Sequence, residues 1–124
     1  MKLNEISEAL KCETFCGAEY LDREIKFGCA SDLMSDVLAF SRAGAVLLTG
    51  LVNIQTINTA FLAEIEALVF VRGKIPDERM IEMAIIKKLP LIGTPYSMYE
   101  ACGILFNQGL GSTMECISEK VING

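Results

Sequence analysis

At 124 residues the chain is close to the commonest size of one domain and too short for two ordinary ones. Hydrophobic residues make up 52% and charged residues 22%, enough for a full core and far from a disordered composition. A net charge of -5, with basic residues scattered except at Lys87-Lys88, repels phosphate backbones and anionic lipid, so neither nucleic acid nor a membrane surface is an expected partner.

The opening "MKLNEISEAL" is charged and periodic, without the apolar stretch of a signal peptide. The longest apolar run, Ala43 to Val52, is broken by glycines and falls far short of the roughly 20 residues a membrane span needs. The expected location is the cytoplasm. The five cysteines, Cys12, Cys16, Cys29, Cys102 and Cys116, are an odd number, which argues against a disulfide framework there. Cys12 and Cys16 are spaced C-x3-C, but the chain has no histidine and no second pair to complete a tetrahedral site. They read as small hydrophobes with one or two exposed thiols.

In chain order, Leu3, Ile6 and Leu10 share one helical face, predicting a short N-terminal helix. Two short strands are expected at Cys12–Phe15 and Ile25–Cys29, with a turn at Gly17. "SDLMSDVLAFSRAG" predicts a helix capped by Ser31 or Asp32, striped by Leu33, Val37, Leu38 and Phe40, and stopped at Gly44. Ala45–Thr49, Ala67–Val71 and Pro90–Gly93 are unbroken apolar runs, the pattern of strands buried on both faces. Between them lie "NIQTINTAFLAEIE" and "PDERMIEMAIIKKL", the latter with Pro76 near the first helical position, and "SMYEACGILFNQG" follows the last strand. Buried strands alternating with helices predict a single three-layer α/β domain with a small, mostly parallel sheet built from βα units. The domain is expected over 1–110, with 111–124 as a C-terminal extension, either a short helix or a loose tail.

Ligands of open parallel sheets bind outside the strand carboxyl ends. That rim contains Ser31 and Asp32, then Thr49, then Arg72 and Lys74, then Thr94 and Ser97, which are the candidate ligand-binding residues. Each also has a plainer role, since Ser31, Asp32 and Ser97 are helix-capping types and Pro95 makes a turn of its neighbours. The helix beginning at Asn53 carries Gln55, Thr56, Asn58 and Thr59 without a charge, a composition suited to a polar ligand or to a subunit interface. These four are the candidate dimer residues. Nucleotide-loop, dinucleotide and nucleophile-elbow motifs are missing. Asp22, Asp32 and Asp36 sit near helix starts, where acids serve as caps and dipole partners more often than as metal ligands. No catalytic residue, cofactor or metal is expected.

The segments "YLDREIKFGCASDLMSDVLAF", "LVFVRGKIPDERMIEMA" and "LPLIGTPYSMYEACGILFNQGL" resemble the DRTGG domain, a small α/β module found alone or fused to CBS domains. The domain is similar in fold to the N-terminal domain of HPr kinase/phosphorylase. The resemblance covers about Met1 to Leu110 and is most specific at Asp22-Arg23, at Ser31 to Val37 and at Thr94 to Gly103. Where that family has a Thr-Gly-Gly turn, this chain has Val71-Arg72-Gly73.

The resemblance implies a stand-alone regulatory or dimerising module rather than an enzyme. Together with the residues, it leads to a non-catalytic signalling module that homodimerises and binds a small anionic or nucleotide-like ligand at the strand carboxyl ends. The alternative is a small phosphoryl or acyl transferase using Ser31, Asp32 and the Arg72–Lys74 loop. A redox or metal role for Cys12, Cys16 and Cys102 is a third reading.

Overall fold

A computed structural model describes residues 1–112. The short helix expected within the C-terminal extension lies outside the described residues. Five strands, β1 (Glu13–Cys16), β2 (Phe27–Ala30), β3 (Ala45–Thr49), β4 (Ala67–Phe70) and β5 (Leu91–Gly93), form one sheet. Its order is β1-β5-β4-β3-β2. Strands β2 to β5 run parallel and β1 joins β5 antiparallel. The helices are α1 (Leu3–Ala9), α2 (Met34–Phe40), α3 (Ile54–Leu62), α4 (Glu78–Ile86) and α5 (Met98–Asn107). This is the expected three-layer, mostly parallel α/β domain.

Every residue of β3, β4 and β5 is buried, so alternate side chains of each strand feed two separate cores. On one face Leu47, Leu68, Phe70 and Leu91 pack against Val37 of α2, Ile57 and Ala60 of α3, and Met80 and Ala84 of α4. On the other face Val46, Leu48, Val69 and Ile92 pack against Leu3 and Ile6 of α1 and Ala101 and Leu105 of α5. The chain therefore steps from β2 to β5 with three helices on one side. It then sends α5 across to the opposite side, where it lies against β2 and β3. No helix among the described residues is long and apolar enough to cross a membrane.

Two expected helix starts are corrected. The N-cap of α2 is Leu33, without a side-chain cap, because the Asp32 carboxylate is drawn to Gly50 and the Ser31 hydroxyl bonds the Leu33 backbone. This helix stops at Phe40, where extended Ser41 returns its hydroxyl to the Val37 carbonyl, and so never reaches Gly44. In so short a helix only Met34 and Val37, one turn apart, reach the core, and Leu33, Leu38 and Phe40 of the expected stripe are more than half exposed. Pro76 lies outside α4, whose cap is Asp77, accepting from the Met80 N–H at 2.9 Å. Asn53 and Ser97 cap α3 and α5 in the same way.

At the strand amino ends, Arg23 acts as a clamp. It donates from Nη1 to the Glu66 carbonyl at 3.0 Å and from Nη2 to the Lys88 carbonyl at 2.9 Å. The guanidinium also lies 3.6 Å from the Glu66 carboxylate and over the Tyr20 ring, 4.3 Å from its centre. The Asp22-Arg23 segment is thus at the opposite end of the sheet from the rim nominated by the sequence.

Candidate functional site

Three of the rim residues meet around one residue, Gly50. Asp32 Oδ1 accepts from the Thr49 hydroxyl at 2.9 Å and from the Gly50 N–H at 2.6 Å. From the other side, Lys74 Nζ donates to the Gly50 carbonyl at 2.6 Å. A Cβ added at Gly50 would stand 3.4 Å from Lys74 Nζ and 3.5 Å from Asp32 Oδ2. Both distances are ordinary van der Waals contacts, so the carboxylate and the ammonium close on the turn without excluding a small side chain there. The β2–α2, β3–α3 and β4–α4 loops are thereby tied together, and the two charges largely offset each other.

The fourth loop is tied by backbone alone. Because α5 crosses to the opposite face, the loops after β4 and β5 diverge, which is where an open α/β sheet forms its ligand crevice. Here two hydrogen bonds span that crevice, from the Arg72 N–H to the Tyr96 carbonyl at 2.8 Å and from the Gly73 N–H to the Thr94 carbonyl at 2.9 Å. Arg72 and Gly73 form the corner of a turn closed by Lys74 N–H to Val71 O, with φ of 58° and 70°. Arg72 thus keeps the left-handed turn that its arginine side chain disfavours, at a strain of about 1 kcal/mol.

The remaining candidates are placed as follows. Thr49 and Thr94 are buried, and both hydroxyls are spent internally, Thr94 Oγ1 on the Leu10 carbonyl at 2.6 Å. Ser97 accepts from the Glu100 N–H at 3.2 Å and shares its hydroxyl with the Glu100 carboxylate. Ser31 bonds its own loop, with the Leu33 N–H at 3.0 Å. The Arg72 side chain is exposed, and among the described residues its guanidinium has no hydrogen bond or ion pair. Of the candidate interface residues, Gln55 and Asn58 face solvent. Thr56 and Thr59 face the core, where Thr56 Oγ1 donates to the Leu51 carbonyl at 2.8 Å, so they present no surface to a partner.

None of these candidates lines the groove of about 830 Å³ between α5 and the edge strand β2, although Glu100, the partner of Ser97, does. Gly28, Ala30 and Leu48 form its floor, and Tyr99, Gly103 and Phe106 its α5 wall. The sequence reading passed over it because the groove exists only once α5 has crossed the sheet. The available signal was a mid-helix glycine between two aromatics.

Burial raises three of the thiols. It pushes Cys12 up to about 12, and raises Cys16 and Cys102 above the ordinary thiol value. Among the described residues no group of three or more His, Cys, Asp or Glu side chains is arranged to hold a metal ion.

No protein-family model matches the chain, and no curated protein matches it significantly. Among solved structures it is similar to the CBS and DRTGG domains of the regulatory region of Clostridium perfringens pyrophosphatase, a structure complexed with the activator diadenosine tetraphosphate. The TM-score is 0.70 at 15% identity, and the match covers 98% of this chain and 58% of that one. The likeness is one of fold, and it falls on the architecture that the sequence motifs had suggested.

Proposed function

We propose that this chain is a regulatory module of DRTGG type, not an enzyme, which binds a small anionic or nucleotide-like ligand at the strand carboxyl rim and works as a cytoplasmic homodimer. The observation that carries the reading is the division of labour on the rim. Asp32, Thr49, Lys74 and Thr94 are spent on holding loops together, while the Arg72 guanidinium has no partner among the described residues and sits on a pinned turn. An exposed guanidinium carried on a pinned backbone turn is suited to a phosphate or carboxylate, which it can grip with two parallel hydrogen bonds. The likeness to a regulatory region complexed with a nucleotide activator supports the same reading. The transferase alternative requires Ser31 as a nucleophile beside a base, and its hydroxyl is bonded only to the Leu33 backbone.

The test is native mass spectrometry and calorimetry of the full chain with ATP, ADP and diadenosine tetraphosphate as probes. We expect a retained nucleotide, unchanged after incubation, and binding weakened about tenfold in Arg72→Ala. Turnover of the bound nucleotide, or affinity equal in the variant, would sink the proposal.

A further inference from the structure

Strand β2 is an edge of the sheet, and an edge strand presents backbone N–H and C=O groups along its outer side. The chain itself begins to cover them. After α5, a left-handed turn at Gly109 leads to buried Leu110, and the Gly28 N–H then donates to the Gly111 carbonyl at 2.7 Å. Ser112 pairs with Gly28 as a parallel bridge. Ser112, the last described residue, therefore lies in the groove between α5 and β2, and the chain there runs along β2 toward the carboxyl rim. The groove is open because its floor is made of small residues. Gly28 and Ala30 turn toward α5, while Phe27 and Cys29 pack on the opposite core. By the alternation of a strand, the backbone groups of Ala30 share the outer edge with those of Gly28.

We propose that the chain's own continuation, Thr113 to Cys116, which lies beyond the described residues, fills this groove as a sixth strand parallel to β2. The register is the one that Ser112 sets. It places Met114 beside Ala30 on the α5 side, over the small-residue floor, and turns Thr113 and Glu115 to the other face. The sequence alternates to match, with Met114 and Cys116 apolar and Thr113 and Glu115 polar. Methionine is also the side chain best suited to filling an irregular apolar gap. Four extended residues cover about 13 Å, against roughly 10 Å of α5 between Phe106 and Tyr99 on the groove wall. Connectivity selects this occupant over a second copy or a separate apolar partner. The first pairing is already made, so each further pair forms within one molecule, and any other chain would have to displace residues tethered at the groove.

The experiment is residue-resolved amide hydrogen exchange by NMR on the full chain. In the proposed ladder the Ala30 N–H donates to the Thr113 carbonyl and the Glu115 N–H to the Ala30 carbonyl. Both amides should exchange at least about a hundredfold more slowly than in an unfolded peptide, whatever the protein concentration. Met114→Asp puts a charge in the apolar groove and should cut that protection about tenfold or more. Glu115→Gln, on the outward face, should leave it unchanged. The amides of β4 and β5 report that each variant keeps its fold. Exchange of Ala30 and Glu115 at unfolded rates overturns the inference. So does protection that disappears on dilution, which would put a second copy on the edge, or protection that survives Met114→Asp.

Discussion

The two ends of the sheet solve one problem in different ways. At the amino ends, a single residue, Arg23, satisfies the carbonyls of Glu66 and Lys88, pairs with the Glu66 carboxylate and stacks on Tyr20. Both Nη groups of that guanidinium are engaged. At the carboxyl ends the work is divided: Asp32, Thr49 and Lys74 tie three loops together at Gly50, and Thr94 ties the fourth to the end of α1. Among the described residues, division leaves one charged group of the rim without a partner, the Arg72 guanidinium. A concentrated clamp makes an end rigid and chemically finished, whereas a distributed one leaves groups over that can meet a ligand.

The largest effect is therefore expected at the finished end. Arg23→Ala removes two charge-assisted hydrogen bonds, an ion pair and a stacking contact at once, and leaves two carbonyls in need of water. We expect a loss of about 3 kcal/mol, on the order of 10–20 °C in Tm for a domain of this size. Arg23→Lys should recover little of it, because an ammonium cannot reach two carbonyls in a fork. A thermal melt lowered by only a few degrees would show that the clamp is not concentrated in one residue.

The distributed end should respond more weakly and with coupling. Asp32→Ala and Lys74→Ala each release one of the two backbone groups of Gly50, at about 1–2 kcal/mol apiece by urea unfolding. Both act on the same turn, so the double variant should cost less than the sum by about 0.5–1 kcal/mol. Strict additivity would mean that the two ties are independent and that the rim is not one network.

The contrast between the two ends also marks what the sequence could disclose. Glycine-bounded apolar runs announce β3, β4 and β5 because a strand buried on both faces has no polar partner to obscure it. The capping of α3 by Asn53 and of α5 by Ser97 is local chemistry, as is the left-handed turn after α5 at Gly109. The start of α2 is misread for the opposite reason. Ser31 and Asp32 are the right types for a cap, but Asp32 is claimed by the Gly50 N–H, 18 residues away. Arg23 carries no local sign of its reach to Glu66 and Lys88, 43 and 65 residues on. The rim residues were legible as a set, because strand carboxyl ends are countable from the pattern. Which of them would be used up in ties was not, since that depends on which loops become neighbours.

The smallest effects lie at the helix ends, where sequence and conformation disagree. Helices α1, α3 and α4 are each followed, one residue after their C-caps, by a charged residue in the left-handed region: Lys11 at φ 52°, Glu64 at 57° and Lys88 at 55°. Only α5 has the preferred glycine there, Gly109. Glycine at each of the three relieves the strain, offset by its greater freedom in the unfolded chain. The charges then rank the outcomes. Glu64 sits at the negative end of a helix dipole, so Glu64→Gly should gain the most, about 1 kcal/mol. Lys88 is favourably placed against its dipole, so Lys88→Gly should gain roughly half as much. Lys11 has that advantage and also lies 5.9 Å from the centre of the Tyr96 ring, so Lys11→Gly should be close to neutral. Chemical denaturation of the three variants checks the order. If Lys11→Gly stabilised the fold as much as Glu64→Gly, backbone strain alone would set these ends and the charges would contribute nothing measurable.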